Sequence, residues 1–407
     1  MKLLLFGAGA SIPFYPSLTT DYITKEIKTQ EYWKHIIELY NETNNSKIDY
    51  TQIITLLETI ITTNPQANFE EVCGFIDSIT NILIDAEGNT YDKYDRIADT
   101  LLKCKILELK LESISNIKYI PYLFRCLIVH IFLNIPKTKY YDKLIIQQKR
   151  FINYFIRKTN KASIVSLNYD DILKDTIGNI YYNGFDKNQP SHMPFSCENF
   201  FHSKKTISYL HGCIRFFYAL PDIQYSYGNI PSIKYRLNKL RLQKNLNNQH
   251  FSSNIENHSY NVFITTGIEK NTSMDYSPYN AYYTKFASDI CKSSMIIIIG
   301  YSFKDQHVNR ILSPFLNMNK GNKIILVDYK QANVSPHDLM NKGNILYDIY
   351  KVFLCKLEID NNHEYDNINN NGYGFITNQI LYYKNGYENF LNEYKQVINY
   401  CNKQTVK

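Results

Sequence analysis

Six short, largely apolar runs constrain the fold of this 407-residue chain more than any other feature. Each is rich in Ile, Val or Leu and lacks the alternation of apolar and polar residues that marks a half-exposed strand. Strands that are covered on both faces, as in a parallel α/β sheet, have this composition. We therefore predict strands at Leu3–Phe6, Ser163–Leu167, Thr206–Leu210, Asn261–Thr265, Met295–Ile299 and Lys323–Val327.

Helical periodicity lies between and around these runs. Tyr279–Lys292 precedes one predicted strand and Gln306–Leu316 follows it. This alternation predicts an α/β fold with a Rossmann-like parallel sheet of about six strands. The long interval after the first strand is predicted to contain helices at Asp21–Tyr40, Asn68–Ile84 (with Asn68 and Glu71 as a capping pair), Ile97–Ile114, Pro121–Leu133 and Lys143–Ile156.

These patterns divide the chain into a core and three additions. The core is expected at residues 1–20 and 160–335, a helical insertion at 21–159, an irregular insertion at 213–260 with a basic helix at Ile233–Leu246, and a C-terminal extension at 336–407. Within the extension, an Asn- and Gly-rich loop is predicted at Asp360–Gly374 and a closing helix at Tyr387–Tyr400.

Composition narrows the class of protein. A net charge of +7, from 45 basic and 38 acidic residues, favours an acidic ligand but is too small to indicate direct, sequence-specific nucleic-acid binding. The eight cysteines form no Cys-x-x-Cys pair, so we expect neither a zinc ribbon nor a metal site. Free thiols, no signal peptide and no apolar run long enough for a membrane span predict a cytoplasmic protein that does not bind membranes.

The first strand runs directly into Gly7-Ala8-Gly9-Ala10-Ser11. Small residues at the end of a strand let the backbone approach a diphosphate, and free N–H groups there can bind it. A Gly-x-Gly turn serves equally well where the chain must bend tightly, so both interpretations stay open for this loop alone. The third glycine of the dinucleotide fingerprint is missing and the next helix begins late, which disfavours an ordinary dehydrogenase.

Polar side chains follow two further predicted strands. Asn168, Tyr169 and Asp170 follow one, and His211 with Gly212 follows the next. Ligands of open α/β sheets bind at this edge, so these residues are candidates for a site. Asn and Asp are also common helix N-caps, which is the structural alternative for Asn168 and Asp170. A histidine at a strand tip is better placed for acid–base work than for core packing.

Two more strand ends carry candidate ligand residues. Gly300 breaks an apolar strand and would admit a ribose or adenine, while Ser302 would bond a phosphate or ribose. Ser302 and Asp305 have the spacing of a capping box, so Asp305 is interpreted as part of a helix terminus rather than as a catalyst. Asp328 ends the last predicted strand, where an acid often binds a ribose hydroxyl.

Taken in order, four of these stretches resemble the sirtuin-like superfamily. They are the Gly7–Ser11 loop, Asn168-Tyr169-Asp170, Leu210-His211-Gly212 and Gly300-Tyr301-Ser302-Phe303, the last similar to the bacterial defence branch. The resemblance implies that NAD+ binds as the substrate across the edge of the sheet. It also implies that Asn168 orients the ribose and a water, Asp170 holds the carboxamide, and His211 polarises a ribose hydroxyl or acts as its base.

The departures from the family pattern favour hydrolysis. The paired cysteines of deacylating sirtuins are absent, and their Gly-Ile-Pro-Asp-Phe-Arg segment is replaced here by Phe14–Thr20. The resemblance therefore implies an NAD+ hydrolase of an antiphage system, forming a homo-oligomer and pairing with a HerA-type ATPase or, alternatively, an Argonaute protein. A deacylase, an ADP-ribosyl transferase and a non-catalytic NAD+- or ADP-ribose-binding subunit remain as alternatives.

Overall fold

A computed structural model describes most of the chain. The residues described are 1–44, 59, 62–63, 65–87, 120–157, 159, 161–178, 180–185, 195–219, 224–227, 264–265, 274, 277–330, 332–339, 341–342, 344–353 and 362–403.

One sheet of seven strands, in the order β3-β2-β1-β6-β7-β9-β8, organises the molecule. All neighbouring strands are parallel except β8 and β9. The strand order runs outward in both directions from β1, which is the Rossmann-like arrangement predicted from the sequence. The strands are β1 (Lys2–Phe6), β2 (Ala162–Ser166), β3 (Lys205–Tyr209), β6 (Met295–Ile299), β7 (Lys323–Val327), β8 (Tyr373–Thr377) and β9 (Ile380–Tyr383), and a separate hairpin pairs β4 (Phe216–Ala219) with β5 (Gln224–Tyr227).

The apolar runs form the centre of this sheet because both of their faces are covered. Every residue of β2 and of β6 is buried. Five of the six predicted strands are confirmed to within a residue at each end. The sixth, Asn261–Thr265, lies mostly outside the described residues, and its described residue Ile264 makes a single bridge to Gly212.

The C-terminal part contributes to the sheet, which the sequence analysis did not predict. The predicted loop at Asp360–Gly374 is wrong for the residues described, because a helix occupies Asn362–Asn371 and β8 begins at Tyr373. β9 pairs in parallel with β7, so the sheet has seven strands rather than about six. Apolar and aromatic side chains explain this result, since all four residues of β9 are buried.

The helices account for most of the remaining described residues. They are α1 (Thr20–Ile27), α2 (Gln30–Asn44), α3 (Phe69–Glu87), α4 (Ile120–Asn134), α5 (Tyr141–Ile156), α6 (Ile172–Ile177), α7 (Cys197–His202), α8 (Tyr279–Lys292), α9 (Gln306–Leu312), α10 (Phe315–Met318), α11 (Ile345–Phe353), α12 (Asn362–Asn371) and α13 (Gly386–Lys403). The helices predicted at Ile97–Ile114 and Ile233–Leu246 lie outside the described residues, as does most of the insertion predicted at 213–260.

The predicted capping pair is confirmed at the start of α3. The backbone N–H of Glu71 donates to Asn68 Oδ1 at 3.0 Å, and the backbone N–H of Asn68 donates to Glu71 Oε2 at 2.9 Å. These reciprocal bonds satisfy amides that have no partner inside the helix.

Two long helices predicted from the sequence are each divided in the structure. The helix predicted at Asp21–Tyr40 is broken between α1 and α2, where the indole of Trp33 donates to the Ile27 carbonyl at 2.9 Å and so binds the end of α1. The helix predicted at Gln306–Leu316 is broken into α9 and α10 at Pro314, which has no N–H to continue the helical pattern.

Aromatic side chains pack the helices onto the sheet. The ring of Phe6, at the end of β1, lies 6.2 Å from that of Tyr387 in α13. The ring of Phe151 in α5 lies 5.2 Å from that of Phe390, in an edge-to-face arrangement. Helix α13 therefore joins α5 to the sheet. None of the helices within the described ranges combines the length and the apolar character that a membrane span requires.

A buried ion pair joins α3 to α4. Arg125 Nη2 lies 3.0 Å from Asp77 Oδ2, and the two side chains are 1% and 2% exposed. Both guanidinium Nη atoms also contact Asp77 Oδ1, at 3.2 Å. Removing one member of such a pair leaves the other charge buried without compensation.

We expect Asp77→Leu to lower the free energy of unfolding by about 3–5 kcal/mol, because Arg125 would keep a buried charge. The double variant Asp77→Leu/Arg125→Met should recover most of this loss, since both charges are then absent. Urea denaturation of the three proteins measures the effect. A double variant as unstable as the single one would contradict this assignment.

Candidate active site

Four loops meet at the carboxyl edge of the sheet. Because β3, β2, β1 and β6 are adjacent and parallel, the segments that follow them lie along one edge in that order. Their order there is His211, Asn168, the Gly7–Ser11 loop and Gly300. The two directions of strand order separate between β1 and β6, which is where ligands of such sheets bind.

The Gly7–Ser11 loop packs against the backbone at Gly300. The Gly9 N–H donates to the Gly300 carbonyl at 2.9 Å, and the Gly7 N–H donates to the Ile299 carbonyl at 2.9 Å. A Cβ on Gly9 would lie 2.8 Å from Gly300 Cα. The glycines are therefore required for contact between two loops of the protein.

Most amides of this loop are already bonded inside the protein. Besides Gly7 and Gly9, Ala10 donates to the Gly7 carbonyl at 2.9 Å and Ser11 to the Ala8 carbonyl at 3.1 Å. These four amides are not free in the structure, because the turn at Ala8–Ala10 and the Gly300 loop use them, and the binding of a diphosphate by this loop stays a prediction.

The side-chain nitrogen of Asn168 makes two hydrogen bonds that hold its amide in place. Nδ2 donates to the Gly7 carbonyl at 3.0 Å and to Ser11 Oγ at 2.8 Å. Its own backbone N–H donates to Ser166 Oγ at 3.1 Å. The side-chain oxygen Oδ1 is buried and has no hydrogen-bond partner among the residues described. An acceptor in this condition is available to a donor that enters the site.

Ser11 connects Asn168 to Asp170. Ser11 Oγ donates to Asp170 Oδ2 at 2.5 Å while it accepts from Asn168, and the Ile172 N–H donates to Asp170 Oδ1 at 3.1 Å. Burial raises the pKa of Asp170 to about 6, although the bonds from Ser11 and Ile172 act in the opposite direction. The Asn168 amide thus donates to the Ser11 hydroxyl, and that hydroxyl donates to the Asp170 carboxylate.

His211 lies at the tip of the next strand with both ring nitrogens engaged. Nδ1 lies 3.1 Å from the Leu167 carbonyl, and Nε2 lies 2.9 Å from Asp305 Oδ2. The residue is 5% exposed. Because Leu167 immediately precedes Asn168, this contact fixes the imidazole beside the loop that carries the amide.

Asp305 is the residue of this site that the sequence analysis missed. It is the N-cap of α9, with Oδ1 accepting from the backbone N–H groups of His307 at 2.9 Å and Val308 at 3.2 Å. The predicted capping box beginning at Ser302 is therefore wrong, since the helix begins only after Asp305. A capping role was visible in the sequence, whereas the contact with His211, 94 positions earlier, had no local signal.

The other predicted ligand residues lie nearby without a bond to Asn168 or His211 among the contacts described. Ser302 is exposed. Asp328 accepts from the Tyr382 hydroxyl at 3.3 Å, and burial raises its pKa. Gly300, which was expected to admit a ribose or adenine, has its Cα against Gly9 and is bonded through its N–H to the Val327 carbonyl at 2.9 Å.

Tyr169 joins the helical segment to the site. Its hydroxyl lies 3.0 Å from the Thr265 carbonyl and 3.3 Å from Glu70 Oε1 in α3. Its ring meets that of Phe132 in α4 edge-to-face at 5.9 Å. A cavity about the size of one water molecule lies next to it, lined by Tyr15, Leu18, Phe132, Ile135, Asp170, Asp171 and Ile214.

The described residues contain no group of three or more His, Cys, Asp or Glu side chains that could hold a metal ion. Cys213 follows the site histidine by two positions and is buried. Burial raises the pKa of its thiol to about 12, so the thiol is protonated at neutral pH.

Substituting Gly300 tests the contact between the two loops. Gly300 has a φ of +61°, and a Cβ there would lie 2.4 Å from the Ala10 nitrogen. Gly178 is a matched control, because its φ is +56° and a Cβ would meet nothing within 4 Å. We expect Gly178→Ala to lose about 1–3 kcal/mol of stability from backbone strain alone. Gly300→Ala should lose more, and equal losses in urea denaturation would contradict the contact.

The buried carboxyl of Asp170 predicts a dependence of stability on pH. Its folded pKa of about 6 exceeds its ordinary value of 3.8. The stabilisation is therefore present at low pH and is lost as pH rises through 6, by about 3 kcal/mol for two pKa units. We expect Asp170→Asn to gain that amount relative to the wild type between pH 4 and pH 7.5. Urea denaturation at both pH values measures it, and a constant difference would contradict it.

A comparison with known protein families finds a likeness over part of this arrangement. Residues 162–345 match the family model described as the SIR2-like domain, and no curated protein matches the chain. The matched segment runs from β2 to the start of α11, so it carries Asn168, His211 and Asp305. The Gly7–Ser11 loop lies outside the matched segment, since it follows β1, the strand between β2 and β6. The match covers less than half of the chain, and the SIR2-like domains to which this segment is similar typically use NAD+.

Proposed function

We propose that the chain hydrolyses NAD+ to nicotinamide and ADP-ribose. The observation that carries this proposal is the Asn168 amide, whose nitrogen is held by Gly7 and Ser11 and whose buried oxygen has no partner in the described part of the chain. A buried acceptor without a donor costs about 1–3 kcal/mol. A ribose hydroxyl or a water that donates to Asn168 Oδ1 removes that cost, so the site favours such a ligand.

The charges at this edge suit cleavage of the bond between ribose and nicotinamide. Positive charge develops on the ribose as this bond breaks, and fixed oxygens placed nearby stabilise it. Asn168 Oδ1 supplies such an oxygen, on a side chain that is held through its nitrogen by Gly7 and Ser11, and the nearby carboxyl group of Asp170 is held by the N–H of Ile172. Because these groups are fixed before substrate binds, little reorganisation is needed during the reaction.

Water is the proposed acceptor of the ribose. The segment after the first loop packs beneath α5, where the rings of Phe14 and Tyr15 lie 5.9 Å and 5.7 Å from that of Tyr141. This segment replaces the motif of deacylating sirtuins, and the burial of its Phe14, Tyr15 and Leu18 supports water rather than an acyl-lysine peptide as the second substrate.

We further propose that this activity depletes NAD+ as the effector step of a bacterial antiphage system in the cytoplasm. Unregulated hydrolysis of NAD+ would harm the host, so we propose control by homo-oligomerisation and by a separate partner. A HerA-type ATPase is the preferred partner and an Argonaute protein the alternative. The helices that pack against Tyr169 are the proposed contact surface, since they adjoin the site.

We expect the purified chain, alone or co-expressed with its partner, to release nicotinamide from NAD+, measured by chromatography. Asn168→Ala should lower the rate by about 10²-fold or more, because it removes the fixed oxygen. His211→Ala should have a similar effect, because it removes the fixed imidazole. Asn389→Ala and His202→Ala, at exposed positions in α13 and α7, are the matched controls and should retain activity.

The same assay separates the alternatives. Turnover that requires an acetyl-lysine peptide would support a deacylase, and transfer of ADP-ribose to protein would support a transferase. Binding of unchanged NAD+ or of ADP-ribose, with no release of nicotinamide under either condition, would support a non-catalytic subunit. Each of these results would overturn the hydrolase proposal.

A further inference from the structure

Thr265 is held beside the site by both of its backbone polar groups. Its N–H donates to the His211 carbonyl at 2.8 Å, and its carbonyl accepts from the Tyr169 hydroxyl at 3.0 Å. The preceding residue, Ile264, forms a bridge with Gly212. Thr265 is therefore fixed against two of the loops that form the site, the one that follows β2 and the one that follows β3.

The hydroxyl of Thr265 has no hydrogen-bond partner in the described part of the chain. The residue is 1% exposed, and Oγ1 is buried. Because a hydroxyl bonds to water in the unfolded chain, burial without a partner destabilises the fold. A valine has the same branched shape and would fill this position without that loss. Asn168 Oδ1 is in the same condition, so two buried side-chain atoms at this edge are available to a molecule that binds there.

The lack of a partner does not by itself indicate a ligand, because Thr206 is in the same condition within the sheet. Thr206 is the second residue of β3, and His211 follows it by five positions. An extended chain of that length spans up to roughly 16 Å, so Thr206 lies well away from the carboxyl edge. Thr265 differs from Thr206 in its place, since its backbone contacts the two loops that carry Asn168 and His211.

The place of Thr265 favours one half of a dinucleotide. Ligands of such sheets bind where the strand order diverges, which is between β1 and β6. Asn168, at the end of β2, is proposed to face the ribose whose bond is cleaved. Thr265 lies further in that direction, next to His211 beyond the end of β3. A group that reaches it there belongs to the nicotinamide ribose or to the carboxamide. Both can donate and accept hydrogen bonds, as a threonine hydroxyl can.

We propose that the Thr265 hydroxyl is a substrate contact of this site and hydrogen-bonds to the nicotinamide–ribose half of NAD+. The choice of ligand rests on the proposed function. The hydroxyl is then paired only while substrate is bound, so its contribution is expected in binding and turnover and not in the stability of the free protein.

The test compares Thr265→Val, which replaces the hydroxyl by a methyl group, with Thr265→Ser, which retains the hydroxyl. We expect Thr265→Val to lower kcat/KM for nicotinamide release from NAD+ on the order of 10-fold, because the substrate group loses its partner. Thr265→Ser should retain most of the activity. Thr206→Val makes the same change at an equally buried threonine within the sheet and should leave kcat/KM unchanged.

Urea denaturation separates a contact with substrate from a contact within the protein. Because the hydroxyl is unpaired in the free protein, Thr265→Val should be at least as stable as the wild type. A larger loss of stability in Thr265→Val than in Thr206→Val would reveal a partner inside the protein and overturn the proposal.

Two kinetic results would also contradict a substrate contact. An unchanged kcat/KM in Thr265→Val is the result expected if the hydroxyl bonds only to an enclosed water. An equal loss in Thr265→Ser and Thr265→Val would mean that packing, and not the hydroxyl, matters at this position.

Calorimetric titration with ADP-ribose identifies the group that Thr265 contacts, because ADP-ribose keeps the ribose and lacks the carboxamide. A lower affinity in Thr265→Val than in the wild type would indicate a ribose hydroxyl. An unchanged affinity for ADP-ribose together with a lowered kcat/KM for NAD+ would indicate the carboxamide. Either result supports the proposal.

The outcome for Thr265 can be distinguished from the outcome for the proposed function. A wild-type chain that releases no nicotinamide, yet binds NAD+ more tightly than Thr265→Val does, would overturn hydrolysis and leave this inference standing. A wild type that hydrolyses NAD+ with the same kcat/KM as Thr265→Val would overturn this inference alone. A chain to which NAD+ does not bind would overturn both.

Discussion

The position of β1 between β2 and β6 is the constraint on which the site depends. The chain begins with this strand, yet its hydrogen-bonding partners are strands more than a hundred residues later in the sequence. Its pairing places the Gly7–Ser11 loop between the Asn168 loop and Gly300. From there the loop binds both, through the carbonyl of Gly7 and the N–H of Gly9. Without this strand, the amide of Asn168 would lose both of its acceptors.

From this constraint follows a continuous series of contacts along the sheet edge. Asp170, Ser11 and Asn168 are joined by side-chain bonds, and Leu167 joins that loop to His211. The imidazole then contacts Asp305 at the start of α9. Each group is oriented by its neighbour, and the free acceptor at Asn168 lies within the series. Such fixed polar groups are the main means by which enzymes stabilise charge that develops in a reaction.

The sequence was sufficient to predict the parallel sheet and the residues at its strand tips. Uninterrupted apolar runs fix the buried strands, and strand ends that share one edge bring Asn168 and His211 together. Two results had no local signal. The Tyr-rich strand β9 was not predicted, because its partner β7 lies far away in the sequence. The contact of Asp305 with His211 was likewise not predicted. One carboxylate oxygen caps α9, and that role alone accounts for an Asp at this position in the sequence.

The central place of β1 also bears on how the segment that matches the SIR2-like domain can be studied. That segment begins at residue 162, so a fragment cut to its limits would have a gap in the middle of its sheet. Two inner edges, on β2 and β6, would then expose unpaired backbone groups, which promote aggregation. The boundary of sequence similarity is therefore not a boundary of the folding unit, and the first six residues belong to any fragment intended to fold.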